Sequence, residues 1–150
     1  MILLGGYVRI SDDDKDGTGE LTRVGVSRQE TDIRKLADEL SASWGVLVEI
    51  RLYDDNNITA SDPRVIRPEF ERLLKDLETG VLQGFLFYHA DRVARRSLDA
   101  ARVTTLYEIN PKLIGLSVQG GTNLSTDEGR AMFGMQAIMG GMRSQLPDAV

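Results

Sequence analysis

The sequence predicts a three-layer α/β fold, with a central, mostly parallel sheet of four or five strands and helices on both faces. Three observations carry this expectation. Short apolar runs alternate with stretches of helical periodicity along the whole chain, the pattern of strand-helix-strand crossovers. One run, GFLFYH (84–89), is apolar almost throughout, as a strand covered on both faces must be. Polar and charged residues gather directly after the apolar runs, where parallel sheets present their binding edge.

Taken in order, ILLGGYVRI (2–10) is the first strand, with Gly5 and Gly6 marking a bulge or a strand start. After a polar stretch over 12–26, Ser27 and Glu30 have the spacing of a capping box, and Ile33, Leu36, Ala37 and Leu40 make one face of a helix ending near Gly45. VLVEIRLY (46–53) is the second strand. The next helix opens on Pro68, carries Phe70, Leu73, Leu74 and Leu77 on one side, and stops at Gly80. After the strand over 84–89 come a helix over 96–109 and a fourth strand, KLIGLSVQ (112–119). Ser125 and Glu128 form a second capping box before a last helix over 126–145. Its residues Met132, Met135, Gln136 and Met139 fall at helical spacing, and the adjacent Gly140 and Gly141 each cost about 1 kcal/mol of helix propensity relative to alanine.

Bulk properties favour one domain over residues 1–150, a usual size for a single core. The absence of cysteine excludes disulfides, thiol chemistry and Cys-ligated zinc, and fits a reducing compartment. No apolar run approaches the roughly 20 residues needed to span a bilayer, so the chain reads as cytoplasmic, with no membrane partner. A net charge of −5 is unfavourable for a free-standing nucleic-acid binder. Neither GxGxxG after the first strand nor GxxxxGK[ST] occurs, which removes the main warrant for dinucleotide and P-loop readings.

The strand ends carry Arg9 and Ser11, then Asp54 and Asp55, then His89, Asp91, Arg92 and Arg95. Two chemistries are open on these residues. The acids, with Asp12 to Asp14 in the first loop, could hold a divalent cation or form a phosphoaspartate receiver, although a receiver would want its acceptor where this chain has YHADR. The arginines could bind phosphate oxygens and offset charge in a phosphoryl-transfer transition state, with Ser11 as nucleophile. Arg9 and Ser11 leave one face of a strand, and Arg92 and Arg95 meet if the chain turns helical there. Asp91 could orient a guanidinium or cap the next helix; His89 reads as a strand-end polar residue.

The motifs YVRIS (7–11), VSRQ (26–29), the loop DDNNITASDPRVIRPEFERLL (54–74), DRVAR (91–95) and GGTNLSTDEGR (120–130) stand in this order along nearly the whole chain. Together they resemble the N-terminal catalytic domain of the serine recombinases, most closely that of the large serine integrases of bacteriophages. The resemblance implies a resolvase-like fold and site-specific DNA recombination through a covalent 5′-phosphoserine. It makes Ser11 the nucleophile, Arg9, Arg92 and Arg95 the ligands of the scissile phosphate, and Arg67 a further phosphate-side arginine. It also brings in Asp91, Gln29 and, because DNNITA overlays the family's aspartate loop, Asp55 rather than Asp54. It implies no metal and no cofactor, since the phosphoserine bond conserves the energy of the phosphodiester. The partners it implies are double-stranded DNA attachment sites and further copies of the chain, as a dimer and a synaptic tetramer, with DNA-binding domains downstream. One departure stands in the last helix, where Arg143 replaces the family's glutamate. A catalytically degenerate dimerisation or regulatory module is the competing expectation.

Overall fold

The computed structural model describes residues 1–9, 21–55 and 67–145, and for 21–27 and 141–145 the backbone alone. Among the described residues, strands β1 (Ile2–Val8), β2 (Val48–Asp54), β3 (Gly84–Phe87) and β4 (Ile114–Ser117) alternate with helices α1 (Leu21–Trp44), α2 (Pro68–Thr79), α3 (Ser97–Ile109) and α4 (Asp127–Gln145). A 3₁₀ turn, Ala90–Arg92, lies between β3 and α3. The strands form one four-stranded sheet in the order β2-β1-β3-β4, and every pairing is parallel. The three-layer α/β expectation therefore holds, with four strands.

The pleat sorts the core into two layers. Tyr7, Tyr53, Phe85 and Phe87 point to one face, where they pack with Phe70, Leu73 and Leu77 of α2, Val103 and Tyr107 of α3, and Phe133 and Ala137 of α4. Leu4, Val8, Val48 and Leu86 point to the other and meet Ile33 and Ala37 of α1. Alternate residues of one strand thus serve different helices, which fixes the register of each strand: a slip of one residue would exchange the layers. The order of connections reverses between β1 and β3, so the carboxyl ends of these two strands form the switch-point crevice.

Several local expectations need correction. Gly5 and Gly6 form no bulge; both lie in an unbroken ladder with β2 and β3. A Cβ on Gly5 would stand 2.8 Å from Leu73 Cδ1 and one on Gly6 2.9 Å from Ile50 Cγ2, so the glycines thin the central strand for close packing. Helix α1 begins at Leu21, which puts Ser27 and Glu30 inside it rather than at its start. A capping box acts only where N–H groups lack intrahelical partners, and Glu30 instead pairs with Arg34 at 2.9 Å. For α4 the cap is Thr126, whose Oγ1 accepts from the Gly129 N–H at 2.9 Å, while Ser125 donates to the Leu113 carbonyl. The first, third and fourth strands are shorter than their apolar runs, and β2 is shifted toward Asp54. Apolar character continues past the point where a strand loses its neighbour. Gly80, at φ 85°, ends α2 as expected.

The glycines of α4 differ from one another. Gly140 is buried, and a Cβ there would fall 2.6 Å from Asp91 Cβ, so this glycine lets α4 close onto the 3₁₀ turn. A Cβ on Gly134 would meet nothing within 4 Å. Met132, Met135, Ile138 and Met139 line the exposed side of the same helix.

These contacts set opposite outcomes for two alanine substitutions. Gly84 has φ 152°, and a Cβ would lie 2.0 Å from the Ile114 carbonyl oxygen, so Gly84→Ala is expected to cost about 3 kcal/mol or more. Gly134→Ala fills open space in a helix interior and is expected to gain up to about 1 kcal/mol. Urea unfolding of the two variants against the parent chain measures both.

Candidate active site

At the switch point, β1 ends at Val8 and the next residue, Arg9, turns its side chain inward with no solvent exposure. Its Nη2 donates to the Asp91 carbonyl at 2.7 Å and its Nε to the Arg92 carbonyl at 3.2 Å. The 3₁₀ turn after β3 is thereby clamped to the end of β1. Where Arg9 leaves the ladder, Gln29 of α1 replaces a strand partner: its Oε1 accepts from the Arg9 N–H at 3.4 Å and its Nε2 donates to the Arg9 carbonyl at 3.3 Å.

A second group lies behind this clamp. Asp55, just beyond β2, accepts from the Tyr7 hydroxyl at 2.9 Å and from the N–H groups of Glu69 and Phe70 at 3.0 and 2.8 Å. Arg67, the residue before α2, offers no side-chain cap, so Asp55 caps the helix from another part of the chain. Arg67 is buried and stacks 3.9 Å over the Phe70 ring. It donates to the Tyr7 hydroxyl at 3.3 Å, to the Val93 carbonyl at 2.5 Å, and to Asp99 Oδ2 at 3.2 Å. Burial, reinforced by Asp55 against the opposing charge of Arg67, raises the Tyr7 phenol above its ordinary range, so it remains a donor to Asp55.

The 3₁₀ turn carries the rest. His89 caps it, its Nδ1 standing 3.3 Å from the Asp91 N–H and 3.0 Å from Asp91 Oδ1. Burial alone would raise the Asp91 carboxyl; the bond and charge of His89 and the charges of Arg92 and Arg95 outweigh it and hold the group below its ordinary value. Arg92 Nε lies 3.9 Å from Asp91 Oδ1, and Arg95 is buried nearby. Burial first, then the charge of Arg95, with further repulsion from Arg67 and Arg92 against an opposing pull from Tyr7, lowers the Arg9 guanidinium to about 10. It stays protonated at neutral pH, among like charges. Such a concentration of buried or half-buried guanidinium groups has the chemistry to bind an anion with several oxygens.

Of the residues expected in the site, Arg9, Gln29, Asp55, Arg67, Asp91, Arg92 and Arg95 converge on this crevice. Ser11, Asp12 to Asp14 and the loop after Asp55 lie outside the described residues, as does the side chain of Arg143. Asp91 does not cap α3; it sits in the turn before it. The residue pattern does not single out Tyr7 or Asp99. Tyr7 has a signal in YVRIS, whereas Asp99 has only its place in the first turn of a helix.

An anion that relieves the repulsion should stabilise the fold. At ten times its Kd, sulfate is expected to contribute about 1.4 kcal/mol, a rise of some 3–6 °C in Tm, which calorimetry against chloride at equal ionic strength would detect. Arg92→Gln with Arg95→Gln should abolish the difference. The depressed Arg9 also has a pH consequence. A base with a lowered folded pKa costs stability at all lower pH, and the cost is relieved as pH rises above about 10.

Among solved structures, the chain is similar to the N-terminal catalytic domain of TP901-1 integrase, with 17% identity, TM-score 0.55, and 95% of this chain and 97% of that one covered. It is also similar to a resolvase family site-specific recombinase from Streptococcus pneumoniae, with 15% identity, TM-score 0.60, and coverage of 97% and 89%. At these identities the likeness concerns the fold. No curated protein matches the chain. Among the described residues no helix is long and apolar enough to cross a membrane. The family model for the resolvase N-terminal domain matches residues 4–147, nearly the whole chain, and the protein therefore belongs to the resolvase family of serine recombinases through its N-terminal catalytic domain.

Proposed function

We propose that this domain performs site-specific DNA recombination through a covalent 5′-phosphoserine at Ser11, as the catalytic part of a large serine integrase. The observation that carries the reading is the convergence of Arg92 and Arg95 at the switch point with Arg9, which stands two residues before Ser11 in sequence. Ser11 Oγ attacks the scissile phosphorus; the Oγ–P bond forms, the P–O3′ bond breaks, and the 3′ oxygen leaves as a hydroxyl. Rejoining reverses the step with a 3′ hydroxyl from another strand. The guanidinium groups stabilise the charge on the equatorial oxygens, the part a divalent ion would otherwise supply. The integrase assignment rests on the DNNITA loop.

Double-stranded DNA is the proposed substrate, held mainly by further domains, since an acidic chain has little non-specific affinity of its own. Self-association is proposed through the exposed methionine-rich side of α4. Sedimentation velocity of the 150-residue chain is expected to show weak, concentration-dependent association; a tight dimer at submicromolar concentration would contradict this.

The chemistry is tested on a suicide attachment-site duplex that prevents religation, with the protein carrying its DNA-binding domains. The expected product is an adduct on the 5′ end of the cut strand, mapped by peptide mass spectrometry to Ser11 and formed equally in excess chelator. Ser11→Ala should bind DNA and form none. Arg9→Ala and Arg92→Ala should each slow adduct formation by a factor of about 100 or more, roughly 3 kcal/mol of transition-state stabilisation. An adduct at another residue would overturn the assignment, and binding without any adduct would favour a degenerate module.

A further inference from the structure

The arginines of this site are not equivalent. Arg67 is buried and stacked on Phe70, and it spends hydrogen bonds on Tyr7, Val93 and Asp99. Among the described residues Asp99 is the one carboxylate in ion-pair range of Arg67, at 3.2 Å, and only 7% of it is exposed. It also stands 3.8 Å from Arg96 and 3.8 Å from Arg102. Arg102 in turn grips Glu71 of α2 through two bonds of 2.8 and 2.6 Å. Asp99 thus joins the start of α3 to the start of α2 and to the Tyr7 hydroxyl of β1.

We propose that Asp99 is a positioning residue for the cleavage chemistry, acting through Arg67. Its carboxylate holds the Arg67 guanidinium against Tyr7 and Val93 and neutralises it, so that Arg67 adds no uncompensated charge beside Arg9. This rests on the recombination reading only for its catalytic consequence. The repulsion between Arg67 and Arg9 gives the physical reason: with its counter-ion gone, Arg67 would add an uncompensated buried charge beside Arg9. A carboxylate in the first turn of α3 also interacts with the helix dipole, but that effect is local to α3 and independent of Arg67.

Asp99→Asn, which keeps shape and one acceptor oxygen, separates the two roles. In the ¹⁵N-labelled chain, the guanidinium resonances of Arg67, assigned by their loss in Arg67→Gln, should shift and exchange faster in Asp99→Asn. In single-turnover cleavage by the protein with its DNA-binding domains, Asp99→Asn should slow the chemical step at least tenfold with DNA affinity changed less than twofold. Added to Arg67→Gln, it should slow cleavage less than twofold further, and the double variant should melt no lower than the worse single variant. Equal effects of Asp99→Asn in both backgrounds, or unchanged Arg67 resonances, would overturn the proposal. If Asp99→Asn fails to fold while the double variant, a neutral hydrogen-bonded pair, folds, the coupling is established by that rescue; failure of both refutes it. A parent protein that cuts no DNA would defeat the recombination reading, while resonances and melting still decide whether Asp99 places Arg67.

Discussion

The structure turns on one guanidinium. Arg9 is fully buried at the end of the central strand, with the carbonyls of Asp91 and Arg92 among its acceptors. Carbonyl oxygens accept from its N–H groups without bringing a negative charge of their own, so these bonds orient the side chain and leave it a cation. The same bonds fasten β1 to the turn that bears Arg92. Two strand ends that meet at a topological reversal thus become one rigid edge, and the site inherits the stiffness of the sheet.

Charge is distributed in two tiers behind that edge. In the inner tier Asp55, Tyr7, Arg67 and Asp99 form a continuous chain of hydrogen bonds, with one cation and two acids across a buried phenol. Asp55 spends its remaining capacity on the α2 N-terminus, where two N–H groups would otherwise lack partners. In the outer tier, Arg9, Arg92 and Arg95 have the Asp91 carboxylate among them, itself tied to His89. Among the described residues the inner tier thus holds one more acid than cations, and the outer one three arginines to one aspartate. Of these described acids, Asp55 is committed to the start of α2 and Asp99 to Arg67.

Most of the fold was legible because periodicity reports burial directly. The parallel sheet, the four described helices and the end of α2 at Gly80 followed from apolar spacing and one backbone requirement. Capping was less legible. Ser27-Glu30 and Ser125-Glu128 have the same spacing, yet neither starts a helix, because a cap depends on which N–H groups are left over, and that is decided by where the helix begins. The residues of the crevice were legible as motif members, and the choice of Asp55 over Asp54 placed the acid that reaches Tyr7 and α2. Asp99 was not, since an acid in a first helical turn is ordinary; its meaning comes from Arg67, thirty-two positions away in sequence and adjacent only after α2 and α3 pack.

The last helix shows how a local defect acquires a reason from tertiary contact. Two adjacent glycines inside α4 weaken its helical preference, which by itself suggests a module losing its function. Gly140, however, meets Asp91 with no room for a methyl group, and Phe133 and Ala137 on the same side enter the core. The helix therefore gives up intrinsic stability at the point where it must approach the turn that holds Arg9. Its opposite side carries Met132, Met135 and Met139 to solvent. One helix thus contacts the turn of the crevice along one side and faces outward along the other.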